Sequence, residues 1–241
     1  MNSTIVVIPT YNESENISDI AQEITSLNLD MDILVVDDSS PDGTADVVRQ
    51  LMRKYSHIHL LNRSEKMGLG PAYVDGFNWA LKRGYTYLFE MDADFSHPPK
   101  ALIGMLDILK EQQVDLVVGS RYKKGIQVSN WPLHRIALSL GASFYVRLIT
   151  GLPVADPTAG YVGYHTKVLQ AIDLEAIQFK GYAFQIALKF WAWKKDFHIE
   201  EFPIIFTDRA KGESKMNGSI IKEAIFGIIS MKWRSLFNNK K

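Results

Sequence analysis

Two aspartates one residue apart, Asp92 and Asp94, close the apolar run Tyr85 to Met91 and precede Phe95-Ser96-His97-Pro98. Hard carboxylate oxygens of this kind suit Mg2+ or Mn2+, whose other positions are normally filled by phosphate oxygens and water. A nucleotide diphosphate supplies such phosphates, and the ion neutralises charge on a departing diphosphate. An isolated acid-x-acid pattern reads more simply as a solvated turn or a helix N-cap. Two sister clusters change that balance, because Pro9-Thr10-Tyr11-Asn12-Glu13 and Asp37-Asp38 also end apolar runs. Ligands of open α/β sheets bind beyond the carboxyl ends of parallel strands. The clusters are therefore expected to line one edge with five acidic side chains and a tyrosine.

The elements that must hold these residues follow from hydrophobic period. Thr4 to Ile8, Ile33 to Val36, Ile58 to Leu61, Tyr85 to Met91 and Leu116 to Gly119 are short apolar runs of the kind buried on both faces of a sheet. Between them, Ile17, Ile20, Ala21, Ile24 and Leu27 recur at helical spacing, with Asn12 and Glu15 as a capping box. Ser40-Pro41 opens a second helix with Ala45, Val48, Met52 and Tyr55 on one stripe. Gly70 to Lys82 and a segment starting at Pro98-Pro99 read as further helices. Strands alternating with helices predict an α/β fold with a mostly parallel central sheet and helices on both faces. The second half is less regular. Leu133 to Ile149, Tyr182 to Lys194 and Ser219 to Phe237 read as helices, and Gly160 to Tyr164 and His198 to Phe206 as extended. No linker or repeat divides the chain.

Composition narrows the class. The 241 residues suffice for one large domain or two small ones, and 46% hydrophobic with 22% charged residues is ordinary for a soluble protein. Lys plus Arg and Asp plus Glu are each 27, so a nucleic-acid partner gains no support from charge. The absence of cysteine excludes disulfides, thiolate nucleophiles and zinc–sulfur sites, and suits a reducing cytosol. No apolar run reaches the roughly 18 residues of a membrane span, and no signal peptide opens the sequence.

Thr4 to Glu13, Val35 to Gly43, Met91 to Pro99 and Gly119-Ser120-Arg121-Tyr122 together resemble glycosyltransferase family 2, with its GT-A nucleotide-sugar-binding fold. Lys66-Met67-Gly68-Leu69-Gly70, Asp156-Pro157-Thr158-Ala159-Gly160, Gly181-Tyr182-Ala183-Phe184-Gln185 and Arg209-Ala210-Lys211-Gly212-Glu213-Ser214-Lys215 narrow the resemblance to polyprenol-phosphate mannosyltransferases. The resemblance implies GDP-mannose as donor and a polyprenyl phosphate as acceptor. Pro9, Tyr11 and Glu13 would contact the guanosine portion, and Val36 and Asp38 base and ribose. Asp92, Ala93 and Asp94 would border the diphosphate, with Asp92, Asp94 and Ser96 around the metal. Some relatives carry Gln at the position of Ser96, and a serine hydroxyl is a weaker ligand. His97 is expected as a capping or core histidine.

The same resemblance assigns the cations. Arg121, Arg135 and Ser214 would meet the acceptor phosphate, and Arg209 and Lys215 the diphosphate, with Asp94, Arg121, Arg209 and Lys215 central to catalysis. Arginine suits this because its planar fork grips phosphate oxygens in pairs. For Arg135 the solvated-surface reading stands equally. The 207–218 loop, with Gly212 and Gly218, is expected to close over the substrates.

The acceptor the resemblance implies is a lipid, so such an enzyme would have to meet a membrane. Residues 1–218 would form the catalytic domain and 219–241 an amphipathic helix with Ile220, Ile221, Ile228, Ile229, Trp233 and Phe237 among lysines and arginines. Such a helix lies in an interface or packs on the domain. A cytoplasmic protein on the cytoplasmic face of a membrane is expected, attached peripherally or through an anchoring partner. The alternatives are a family 2 enzyme using a UDP-sugar, a polyprenyl-phosphate glucosyltransferase, or a non-catalytic nucleotide-sugar-binding protein. A dinucleotide-dependent dehydrogenase is weaker, since no Gly-x-Gly-x-x-Gly follows the first strand.

Overall fold

A computed structural model describes residues 3–111, 113–177, 179, 181, 183–208 and 218–237, apart from the side chains of 218–224 and 237. Its central sheet runs β3 (Ile58–Asn62), β2 (Met31–Asp37), β1 (Thr4–Thr10), β4 (Tyr87–Glu90), β7 (Val162–His165), β5 (Leu116–Ser120) and β8 (Ile199–Pro203) from edge to edge. Six of these strands are parallel where they pair, and β7 alone runs antiparallel, between β4 and β5. A second sheet pairs β6 (Val128–Ser129) with β9 (Phe206–Thr207).

The apolar runs of β1 and β2 are central strands buried on both sides. Along β1, Ile5 and Val7 join the core under α3 (Leu69–Leu81) and α7 (Ala183–Lys194), while Val6 and Ile8 join the core under α1 (Ile17–Ser26), α2 (Thr44–Lys54) and α4 (Ala101–Glu111). This is the period-two alternation of a strand between two helical layers. Gly76 lets α3 lie close to the sheet, since a Cβ there would meet Val7 Cγ1 at 2.6 Å and Val36 Cγ2 at 3.1 Å.

Several expected boundaries shift. The Asn12–Glu15 capping box does not form: α1 starts at Ile17 with Asn16 as N-cap, and Asn12 lies at φ 58° with its N–H donated to Ser40 Oγ. The Glu13 carbonyl takes the N–H groups of Asn16 and Ile17 instead. Ser40-Pro41 likewise does not open α2, which begins at Thr44 behind Gly43 at φ 88°. There Asp42 Oδ1 accepts from Thr44 N at 3.0 Å and Thr44 Oγ1 at 2.6 Å. Leu51, not the exposed Met52, completes the buried stripe.

The extended segment expected at Gly160 to Tyr164 is β7, but its antiparallel direction and the short helix α6 (Thr166–Ala171) are absent from the sequence reading. Gly163 makes β7 fit, because a Cβ there would collide with the Phe89 ring on one side and approach Val117 at 2.9 Å. The long α5 (Leu133–Thr150) and α8 (Gly218–Phe237) pack on one another outside the sheet, where Tyr145 Oη donates to the Ile225 carbonyl.

Candidate active site

Neighbouring strands β2, β1 and β4 end in three turns side by side. Each turn holds one non-glycine residue in the left-handed region: Ser39 (φ 58°), Asn12 (φ 58°) and Phe95 (φ 62°). Such conformations persist where surrounding contacts enforce them, and they gather at ligand sites. The three acidic clusters therefore meet at one sheet edge, but their carboxylates do not all face outward.

Asp37 is fully buried and takes hydrogen bonds from Thr10 Oγ1 (2.9 Å), Ser40 N (2.9 Å) and Ser40 Oγ (2.6 Å). It ties the β1 and β2 turns together, which corrects the expectation of five acids along the ligand edge. Asp38 is also buried, ion-paired to Arg63 and accepting from Met67 N (3.2 Å) and Gly68 N (3.1 Å). Its carboxylate thus fixes the 66–68 turn, so a ribose contact would share oxygens already engaged. Against expectation, Val36 does not reach the ligand edge: it is fully buried in mid-sheet, in register with Pro9 and Leu61 and with its side chain against Gly76. Pro9, Tyr11 and Glu13 are partly exposed at the edge. The Lys66 ammonium stands 3.6 Å from the Tyr11 ring centroid.

Asp92 and Asp94 flank the buried Ala93 just beyond β4. Asp94 Oδ1 accepts the Ser96 N–H at 3.1 Å, and the Asp92 N–H donates to His97 Nδ1 at 3.0 Å. His97 is therefore a neutral core histidine, stacked on Tyr161 at 4.8 Å. Burial lowers its pKa to about 4, against an opposing pull from Asp94. Among the described residues no three His, Asp or Glu side chains are arranged to hold a metal. The donor set is two carboxylates and Ser96 Oγ, a buried hydroxyl with no hydrogen-bond partner. That set fits a hard cation which takes its other oxygens from a diphosphate and water.

The cationic side is built around a residue the sequence reading left without a role. Asp156 is fully buried and receives three N–H groups of Arg121: N at 3.0 Å, Nε at 2.6 Å and Nη2 at 2.6 Å. Thr158 Oγ1 takes a fourth contact from Nη2 at 2.7 Å. Burial would raise the Asp156 pKa, but Arg121 outweighs it and holds the carboxyl below its usual range. Arg121 is thus a fixed, charge-compensated group rather than a mobile cation. Arg135 pairs with Asp208 at 2.7 Å and lies over the Trp131 ring at 4.1 Å. Arg209, Ser214 and Lys215 lie outside the described residues.

Beneath the acidic turn sits a layer that composition and spacing did not reveal. Glu90, the last residue of β4, is fully buried and accepts from Tyr164 Oη at 2.8 Å. Burial raises its pKa to about 8 despite the opposing Lys189 and Tyr164. Lys189 is fully buried too, donates to the Ala159 carbonyl at 2.7 Å, and is lowered by burial to about 8. Glu90 reads as one more residue of an apolar strand, and Lys189 as one polar position in a helix, so only packing exposes them.

The described geometry brings metal-type acids, a paired arginine and an open strand edge to one place. Residues 5–173 match the family model described as glycosyl transferase family 2. Polyprenol monophosphomannose synthase of Mycolicibacterium smegmatis is 46% identical over 226 residues, spanning 93% of this chain and 85% of that protein. Undecaprenyl-phosphate mannosyltransferase of Micrococcus luteus is 42% identical over 236 residues, spanning 96% of each. Glucosyl-3-phosphoglycerate synthase of Mycobacterium tuberculosis, solved with Mg2+ and uridine diphosphate, superposes with a TM-score of 0.69 over 95% of this chain and 79% of that one. At 17% identity that likeness speaks for the GT-A fold alone. By sequence along most of its length and by architecture, the chain is a member of glycosyl transferase family 2.

Proposed function

We propose that this glycosyltransferase moves mannose from GDP-mannose to a polyprenyl phosphate, giving a β-linked polyprenyl mannosyl phosphate. The observation that carries the reading is the 46% and 42% identity, over nearly the whole chain, to two relatives named for mannosyl transfer to a polyprenyl phosphate. The paired acids at one strand end and Arg121 at another support it, because the reaction brings two anions together.

In the proposed reaction an oxygen of the acceptor phosphate attacks the anomeric carbon. The bond from that carbon to the donor's diphosphate breaks, and its electron pair leaves on GDP. Attack from the face opposite the leaving group inverts the anomeric centre. A phosphate monoester has a second pKa of about 6, so the nucleophile is already a dianion at neutral pH and no strong general base is needed. The protein's work is to position the anions and offset their repulsion. Asp92, Asp94 and Ser96 would hold Mg2+ or Mn2+, which when bound supplies charge neutralisation for the departing diphosphate. Pro9, Tyr11, Glu13, Ala93 and Asp38 border the nucleotide, with the buried Val36 supporting the strand end beneath it. Arg121 and Arg135 face the acceptor phosphate, with Arg209, Ser214 and Lys215 assigned on the family resemblance.

The acceptor's hydrocarbon tail calls for an apolar surface. On α5, Leu133 (84% exposed), Leu138, Phe144 and Leu148 stand in solvent, and on α8 so do Phe226 (70% exposed), Ile229, Trp233 and Leu236. The opposite face of α8 packs on the body through Ile228, Met231 and Ser235. Both expectations for the C-terminal helix thus have a face supporting them. No helix among the described residues is long and apolar enough to cross a membrane. We place this apolar face in the interface of a membrane, with residues 1–218 as the catalytic unit, whose α5 shares that face, and 219–241 as the interfacial helix.

Purified protein, radiolabelled GDP-mannose, Mg2+ or Mn2+ and a short polyprenyl phosphate should yield labelled lipid, and chelation of the metal should abolish it. Preferential turnover of a UDP-sugar or transfer of glucose would replace the substrate reading with the alternative family 2 one.

A further inference from the structure

We propose that Lys189 is a positioning residue which sets the spacing between the two charged halves of the active site. The inference rests on the reading of Asp92–Asp94 as the donor half and Arg121 as the acceptor half.

Those halves sit on strands that do not touch. Asp92 and Asp94 follow β4, Arg121 follows β5, and β7 lies between, so no ladder hydrogen bonds join the two ends directly. β7 joins the two strands, with Val162 in register with both Glu90 and Val118, and beyond the strand ends the connection runs through the 155–160 loop. Its Asp156 grips Arg121, and its Ala155 and Asp156 N–H groups donate to Glu201 of β8 at 2.9 Å and 3.1 Å. Lys189 reaches this loop from α7 and donates Nζ to the Ala159 carbonyl at 2.7 Å. The charges acting on its ammonium come from both halves: Glu90 at the end of β4, Asp156 and Arg121 of the cationic half, and Glu201 beside them. Glu90 stands two residues before Asp92 and is tied by Tyr164 to β7. One side chain therefore hydrogen-bonds the loop that carries the arginine clamp and lies within electrostatic reach of Glu90, at the end of the strand that carries the acids.

A fully buried lysine is rare, and desolvating an ammonium works against stability unless its surroundings compensate. A methionine would fill the same slot without that cost. The lysine's contribution is thus better sought in the placement of the loop than in the strength of the core. Glu201 and Arg121 hold the start of the loop, and without the Lys189 hydrogen bond its far end at Ala159, nearest the acidic strand, loses a restraint on the distance between Arg121 and the acidic turn. A displacement of about 1 Å in a group that orients a reactant is enough to cost on the order of a hundredfold in rate.

The test compares Lys189→Met with wild type. The variant is expected to bind Mn2+ by EPR and GDP by calorimetry as wild type does, and to keep its KM for GDP-mannose within about twofold. Its kcat/KM for polyprenyl phosphate should fall at least about tenfold. An unchanged acceptor kcat/KM, or an equal loss on the donor side, overturns the proposal. Should the single variant not fold, the Glu90→Gln, Lys189→Met double variant, which buries no uncompensated charge, takes its place with the same expected split. Recovery of full acceptor use by the double variant would show that the lysine only balances Glu90, and would also overturn it. If wild type itself uses a different acceptor, the substrate reading falls while the same variants test the lysine on that acceptor.

Discussion

Asp94 and Asp156 are both buried carboxylates, and their surroundings give them opposite work. Asp94 accepts the backbone N–H of Ser96, whose own buried hydroxyl has no hydrogen-bond partner, and together these hard oxygens suit a cation. Asp94→Asn keeps the shape and removes the charge. Turnover should fall by roughly a hundredfold or more at saturating metal, with the melting temperature nearly unchanged. Near-normal activity in that variant would remove Asp94 from the metal site. Asp156 is saturated by Arg121, and Asp156→Asn would leave a buried guanidinium without its counter-charge. Breaking one side of such a pair costs about 3–5 kcal/mol. Thermal denaturation should therefore show a drop of about 10 °C for a chain of this size.

At the scale of elements, two junctions rest on local chemistry that can be checked separately. Partial burial pushes the Asp42 pKa up, but hydrogen bonds from Thr44 and Ser14 outweigh it and set it at about 2, from 3.8. A folded-state pKa below the unfolded one contributes stability above the unfolded value and loses it as pH falls. The stability difference between wild type and Asp42→Ala in urea melts should be full above pH 3.8 and shrink as pH approaches 2. A difference that grows on acidification would contradict the capping role. In β7, Gly163→Ala forces a methyl between Phe89 and Val117. That overpacking should cost about 1–3 kcal/mol, read as a lower urea midpoint with the same slope.

Across the whole molecule, α5 and α8 pack on one another and carry the exposed Phe144, Leu148, Phe226 and Trp233. An apolar surface shared by two packed helices exceeds what scattered surface residues provide, and marks an interaction site. Replacing Phe226 and Trp233 together by Asp should abolish sedimentation with anionic phospholipid vesicles. Activity toward a short, water-soluble prenyl phosphate should stay within about threefold, because neither residue belongs to the strand-end site. Equal sedimentation of both proteins would assign this face to something other than a bilayer.

Period-two and period-3.6 patterns were enough to place the central strands and most helices, because β1, β2 and β5 are buried on both faces and their runs are continuous. The same logic located the edge where Asp38, Asp92 and Asp94 meet, since parallel strands end together. Helix starts were misread at Asn12 and Ser40 because both residues serve inter-strand turns, where Asn12 N–H meets Ser40 Oγ. Nor did local pattern distinguish Asp37, which faces inward, from Asp38 beside it. What only the tertiary structure decided was partnership across distance: Arg63 with Asp38, Arg121 with Asp156, and Lys189 with the Ala159 carbonyl. Such pairs join residues 25 to 35 positions apart, some across neighbouring parallel strands and some around the inserted β7. Hydrophobic period records which face of an element is buried, but it carries no information about which charged group waits on the element opposite.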